Sequence, residues 1–177
     1  NVRYDSKTRR VYVAYGDGAL AVIDAEKTEK IAEIKLDGHP ESFQLESGGP
    51  RIFANVPDGR QIAVIDREKN AVVTKWPVTQ ALANFPMALD EKNHRLLVAC
   101  RQPARLLVFN TETGKPVAEV NCCGDVDDLF YDAVRQRVYL SGGEGCINVF
   151  EQKDADHYPL RKRIETSPGA RTCLYVP

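Results

Sequence analysis

Four segments of this 177-residue chain repeat one pattern, in which an acidic residue is followed five positions later by an arginine and then by alternating apolar residues. Successive acids are 41, 44 and 42 residues apart. A period of 20 to 50 residues is typical of solenoids and propellers, so the repeat limits the choice of fold before any single residue is considered. The paired columns are Asp5 and Arg10, Glu46 and Arg51, Asp90 and Arg95, and Asp132 and Arg137.

Each repeat unit contains four short strands, which we name A to D in chain order. In the second unit they are predicted at residues 42–45, 51–56, 61–66 and 71–78, where apolar and polar residues alternate. The B–C connections, such as "GDG" at 16–18, carry glycines that tolerate the positive φ of a tight hairpin. Four strands per unit of about 42 residues predict an all-β fold, a β-propeller of four-stranded antiparallel blades.

The blades are expected in sequence order along a single propeller domain. We also interpret "RTCLYVP" at 171–177 as strand A of a fifth blade, which favours a fragment of a larger propeller over a small closed ring. Open blade flanks would then invite self-association. The predicted blades span about 1–39, 40–82, 83–125 and 126–170.

Composition excludes several function classes. The formal net charge is −1 with both signs interspersed, which does not fit a nucleic-acid-binding surface. No apolar run is long enough for a membrane span. Five cysteines is an odd number, so at least one is unpaired within the chain, and because they form no C-x-x-C motif the redox compartment stays open. All five are expected near one face, where a soft-metal site is conceivable. A disulfide between the adjacent Cys122 and Cys123 would be strained.

The blade model also predicts the core. Alternation along strands B and C places one set of apolar side chains between blades. These are Val11, Val13, Val22, Ile52, Val64, Leu96, Val98, Val108, Val138, Leu140 and Val149.

The candidate binding residues lie where the D–A and B–C connections share one face, at the expected mouth of the central channel. The structural columns recur faithfully, but these positions differ from blade to blade, as residues serving a shared ligand would. Simple turn chemistry is the alternative for the aspartates, and a salt bridge with Arg171 for Glu41. The candidates are His39, Glu41, Asn84, Arg101, Asp125, Asp127, Asp128 and Arg171.

Two features of these columns carry separate interpretations. Arg101 follows a buried strand directly, and its guanidinium could hold a carboxylate or phosphate. The recurring acid and arginine columns, such as Asp132 with Arg137, lie on the opposite face and are interpreted as structural.

The segments "VYVAYGDGALAVID" and "VFNTETGKPVAEV" resemble the YVTN repeat, and "HPESFQLE", "ANFPMALDE" and "DDLFYDA" are similar to the bacterial YncE-like proteins of that group. This resemblance implies an exported propeller, periplasmic or secreted, without an established enzymatic activity. The family is usually seven-bladed, which this chain is too short to reach.

Three functions compete. The first is a non-enzymatic binding or scaffold propeller for a protein or small ligand, favoured because no G-x-S-x-G, H-E-x-x-H or P-loop motif occurs. The second resembles the propeller lactonases, with Glu41, Asn84 and Asp127 as oxygen ligands of Ca²⁺ or another divalent cation. The third resembles the haem d1 propellers of nitrite reductases, but no C-x-x-C-H motif supports it. The first predicts no cofactor.

Overall fold

The structure is a computed structural model that describes residues 1–176, which contain sixteen β-strands and no helix. Contacts cluster in two compact units, residues 1–79 and residues from 80 onward. Residues 1–176 contain no helix long and apolar enough to cross a membrane.

The first unit consists of two antiparallel four-stranded sheets, in spatial order β1-β2-β3-β4 and β5-β6-β7-β8. Each strand pairs with its sequence neighbour, so every connection within a sheet is a hairpin. The strands are β1 Val2–Asp5, β2 Arg10–Tyr15, β3 Ala19–Asp24, β4 Glu29–Lys35, β5 Phe43–Leu45, β6 Arg51–Val56, β7 Gln61–Asp66 and β8 Ala71–Pro77.

The second unit repeats this arrangement in two further sheets, again with neighbours paired in chain order. The strands are β9 Leu82–Asp90, β10 Arg95–Gln102, β11 Ala104–Asn110, β12 Pro116–Asn121, β13 Val126–Asp132, β14 Arg137–Gly142, β15 Cys146–Glu151 and β16 Leu160–Glu165. Four meander sheets in chain order are the blades that the repeat predicts.

The repeat extends to irregularities of the backbone. The register between strands C and D shifts at the same place in every sheet, as a β-bulge does when it bends and twists an outer strand. The shifts fall between Val22 and Ile23, Val64 and Ile65, Val108 and Phe109, and Val149 and Phe150.

The acid columns serve the turns. The Asp5 carboxylate accepts hydrogen bonds from the backbone N–H groups of Lys7 and Thr8, and Asp132 does the same for Val134 and Arg135. Such side-chain bonds to backbone groups two and three residues on stabilise tight turns. The C–D turns use the same device at Asp24, Asp66 and Asn110.

Each unit has its own apolar core between its two sheets. In the first unit, Tyr12, Val22 and Ile52 belong to one buried cluster. In the second, Val108 and Val138 belong to another. Nine of the eleven predicted core residues are buried: Val22, Ile52, Val64, Leu96, Val98, Val108, Val138, Leu140 and Val149.

The prediction was wrong for Val11 and Val13, which are only half-buried. Tyr12, between them on β2, is fully buried instead. Adjacent strand residues point to opposite sides of a sheet, so covering Tyr12 with the second sheet turns both valines the other way.

The extra strand predicted at 171–177 is not a ladder strand in residues 171–176, because a strand is defined by backbone-to-backbone pairing with a neighbouring strand and this segment shows no such pairing. Pro177 lies outside the described residues. The segment nevertheless contacts the fourth sheet. The ring of Tyr175 stacks on Phe130 and Tyr139 at centroid distances of 5.8 and 5.3 Å, and its hydroxyl donates to Asp132 at 2.7 Å.

Candidate functional site

The predicted site residues of the second unit gather around Arg101, at the end of β10. Its Nε donates to the Val126 carbonyl at 2.9 Å, and its Nη2 donates to Asp127 Oδ1, also at 2.9 Å. Its Nη1 lies 3.2 Å from Asp125 Oδ1. The guanidinium carbon sits 4.1 Å from the centre of the Phe85 ring, well within cation–π range. We call Phe85, Arg101, Asp125, Asp127 and Arg171 the Arg101 cluster.

Backbone irregularities place the two aspartates. Asp125 has a φ of 51°, in the left-handed region that aspartate tolerates better than most residues. The register between β13 and β14 shifts between Val126 and Asp128, so Asp127 occupies a bulge. A Cβ on Gly143 would come within 2.1 Å of Asp125 Oδ2, so a larger residue here would displace this carboxylate.

Charges alternate across the cluster. Arg171 Nη1 lies 3.3 Å from Asp125 Oδ2, so Asp125 bridges two arginines. About a third of each carboxylate side chain stays exposed, at 39% for Asp125 and 35% for Asp127. The Arg101 guanidinium therefore pairs with two carboxylates of its own chain, which disfavours an external carboxylate or phosphate there, and the expectation that Arg101 holds such a group stays a prediction.

Asp128 has a different role from its neighbours. Its Oδ2 accepts a hydrogen bond from the backbone N–H of Cys173 at 2.8 Å. The Ser141 hydroxyl donates to the carbonyl of Arg171 at 2.6 Å. These bonds hold the segment after β16 against the fourth sheet, so Asp128 binds a backbone group distant in sequence rather than one in its own turn.

The two predicted site residues of the first unit lie in its D–A connection. The exposed His39 places Nδ1 2.6 Å from the carbonyl oxygen of Gly16, an acceptor, so this ring nitrogen carries the proton. Glu41 is half-buried, and its backbone N–H donates to the carbonyl of Asn55 at 3.1 Å. His39 is thus committed to a B–C hairpin, as an ordinary turn histidine is.

The proposed divalent-cation ligands remain a prediction. Glu41 belongs to the first unit, while Asn84 and Asp127 belong to the second. Asn84 is buried on β9 opposite Cys100. Asp127 already faces the Arg101 guanidinium, and a neighbouring cation disfavours a metal ion at the same carboxylate.

A disulfide joins Cys123 and Cys146, a pairing that sequence reasoning missed. It links the end of the D–A connection to the start of β15 in the next sheet. The placement of all cysteines at one face was the available signal, but it did not identify the pair. With Glu144, these two sulfurs form the one group of three acid, histidine or cysteine ligands that lie within 4.8 Å of each other in residues 1–176.

The remaining thiols are Cys100, Cys122 and Cys173. Burial raises the pKa of the Cys100 thiol to about 12, and burial also raises that of Cys122 to about 12. Both thiols are therefore protonated at neutral pH, and a protonated thiol is a poor nucleophile and metal ligand. This disfavours the soft-metal site considered from the sequence.

Comparisons with known proteins point to the fold. No protein-family model matches the chain, and no curated protein matches it. Among solved structures, it is similar to a chain in the crystal structure of a mitotic checkpoint complex, with a TM-score of 0.81 at 11% identity. The match covers 96% of this chain and 52% of the other, so this chain spans about half the length of that one. The chain has a β-propeller fold. In all, 1114 chains match, so the similarity is too widespread to indicate one function.

Proposed function

We propose that this chain belongs to a non-enzymatic β-propeller that presents the Arg101 cluster to a protein partner. A propeller fold suggests a binding or scaffold role, and the matched structure is that of a complex. The observation that carries the proposal is the cluster itself, in which an aromatic ring and two aspartates are fixed around one arginine.

The geometry of the cluster supports recognition rather than chemistry. A carboxylate has about four lone-pair positions, so Asp125 and Asp127 keep acceptor capacity after pairing with Arg101. Their positions are fixed before binding, which lowers the entropy cost of association. Arginine and aromatic residues are also enriched at protein interfaces.

The finer identity is part of this proposal. The YVTN pattern in strands B and C, continuing to the T-G-K turn, supports a YncE-like propeller. An exported, periplasmic or secreted protein would agree with the Cys123–Cys146 disulfide, because disulfides persist in oxidising compartments.

The test compares protein capture by three immobilised forms: the parent, Arg101→Gln, and Arg105→Gln as the matched control. Arg105 forms an exposed ion pair with Glu119 at 2.8 Å, outside the cluster. We expect a partner that the parent and the control retain and that Arg101→Gln loses by about tenfold in affinity, measured with the purified partner. Equal capture by all three folded proteins would refute the proposed surface.

A further inference from the structure

The first unit contains a cavity of about 290 Å³ on the face opposite the predicted channel mouth. It lies among the β1–β2, β5–β6 and β7–β8 turns and the start of β2. Its volume is at the lower end of the range for ligand cavities in proteins, so it suits a small molecule. The charged and phenolic side chains that line it are Asp5, Lys7, Arg10, Tyr12, Arg67 and Glu68.

Arg67 builds the wall of this cavity and uses four of its five N–H donors. Its Nη1 donates to Asp5 Oδ2 at 2.8 Å, and its Nη2 donates to the carbonyls of Glu46 and Gly49. Its Nε donates to the carbonyl of Pro50 at 3.3 Å. Arg67 therefore ties the β5–β6 turn to Asp5 and consumes the Asp5 carboxylate.

Arg10 is left without an acid as a result. In the equivalent column of the repeat, Arg51 pairs with Glu46 and Arg95 with Asp156 at 2.7 Å, whereas Arg137 forms no ion pair within residues 1–176. Arg10 forms no ion pair with any of residues 1–176, although it is half-buried and faces the cavity. A half-buried guanidinium without an anion is costly, since its desolvation is not compensated.

Tyr12 supplies a second, independent sign of a ligand. Its side chain is fully buried and lines the cavity, yet its hydroxyl has no hydrogen-bond partner of good geometry among residues 1–176. Buried hydroxyl groups nearly always have a partner. Burial raises the pKa of Tyr12, and the neighbouring Arg10 opposes the rise. The hydroxyl therefore stays protonated at neutral pH and can donate a hydrogen bond.

The balance of charge selects the kind of ligand. Three cationic side chains and two carboxylates line the cavity, and one of those carboxylates is neutralised by Arg67. Lys7 spans the opening with a hydrogen bond from Nζ to the Ser47 carbonyl, which leaves two of its three donors. Glu68, the other acid, is exposed.

We propose that this cavity binds the carboxylate or phosphate group of a small molecule, through the Arg10 guanidinium and the Tyr12 hydroxyl. Arg10 provides a charge-assisted pair of donors suited to an oxyanion, and Tyr12 adds a neutral donor. Lys7 closes the site from the solvent side.

Calorimetric titration with inorganic phosphate and, separately, with citrate tests the proposal, using sodium chloride at matched ionic strength as reference. The parent binds at least one of the two anions beyond the chloride reference, and which of them binds distinguishes a phosphate from a carboxylate site. Arg10→Gln weakens that binding by about tenfold or more. Arg137→Gln, the same column in the fourth sheet, leaves it unchanged.

Two further variants keep the test decisive if Arg10→Gln fails to fold. Tyr12→Phe removes a hydroxyl that has no hydrogen-bond partner of good geometry in the free protein, although Arg10 is its neighbour, so its melting temperature stays close to that of the parent while anion binding weakens. Glu68→Gln removes a repelling charge and tightens binding. The proposal is overturned if the parent binds neither anion beyond chloride, or if Tyr12→Phe and Glu68→Gln both bind as the parent does.

Discussion

Two arginines, one in each unit, exchange the roles that their sequence positions predict. Arg101 directly follows a buried strand and is therefore predicted to be a binding residue, whereas Arg10 belongs to a column present in all four repeats and is interpreted as structural. In the structure, Arg101 is held by two aspartates, and Arg10 faces a cavity without an ion-pair partner of its own. The difference lies in the neighbours: Arg67 pairs with Asp5, the acid five residues before Arg10. A residue that recurs in every repeat shows what the turn needs, but recurrence does not show whether its acid is already paired with another side chain.

Among the variants that this comparison suggests, Arg67→Ala is expected to lower the free energy of unfolding the most. The Arg67 and Asp5 side chains are only 13% and 8% exposed, so Arg67→Ala leaves Asp5 with its turn hydrogen bonds but without its ion-pair partner, and it removes the side-chain donor of the Glu46 and Gly49 carbonyls. We expect a loss of about 3–5 kcal/mol in the free energy of unfolding, measured by urea denaturation.

Arg101→Ala is the matched control in the second unit. Its carboxylate partners are more than a third exposed, so water replaces the lost contacts and the loss is about 1–2 kcal/mol. If Arg101→Ala is the more destabilising of the two, the distinction between a buried wall and an exposed cluster is wrong.

Loss of the disulfide is expected to lower the unfolding free energy by nearly as much, and this loss should be confined to the second unit. Cys123 and Cys146 are 23 residues apart, and closing a loop of that length restricts the unfolded chain by about 3 kcal/mol. Residues 1–79 contain no cysteine. Cys146→Ala should therefore lower the unfolding free energy, whereas replacing the unpaired Cys173 by serine should not.

A spectroscopic probe separates the two units in that experiment. Trp76, the single tryptophan, is buried in the first unit, with its ring 5.3 Å from that of Phe53. Its fluorescence in the native state should be the same in Cys146→Ala as in the parent. A changed native emission would show that the disulfide affects the packing of the first unit as well.

Truncation of core side chains should lower the unfolding free energy by an intermediate amount. Such variants also test which side chains of β2 face the core. Val138 is fully buried in the second unit, so Val138→Ala should cost about 1–3 kcal/mol, while Val11→Ala, at a half-buried position, should cost less than 1 kcal/mol. Equal losses at the two positions, measured by chemical denaturation, would restore the original assignment of Val11 to the core.

The success and failure of sequence reasoning follow from the range of the interactions. Strands such as β6 and β7 were predicted to the residue, because alternation and hairpin chemistry are local. The meeting of Arg101 with Asp127 was also foreseeable, since chain direction alone brings B–C and D–A connections to one face.

What could not be predicted depends on contacts between neighbouring sheets. Alternation along β2 defines two faces, but which one is covered, that of Tyr12 or that of Val11, depends on the second sheet. The Cys123–Cys146 pair and the capture of Asp5 by Arg67 likewise join residues whose separation in space no local pattern encodes. Phe85 was missed for the same reason, because its contribution is a cation–π contact with the Arg101 guanidinium, which no local pattern encodes.

The smallest effect is expected from calcium. Asp127 accepts a hydrogen bond from Arg101, whose positive charge disfavours a second cation at the same carboxylate, so excess Ca²⁺ should leave the melting temperature unchanged. Mg²⁺ at equal concentration controls for ionic strength. A rise specific to Ca²⁺ that disappears in the double variant Glu41→Gln with Asp127→Asn would favour the lactonase-like alternative over the binding propeller. A rise that survives in this variant would instead locate the ion elsewhere. Only the first result makes the exposed acids of the second unit metal ligands rather than a surface for a protein partner.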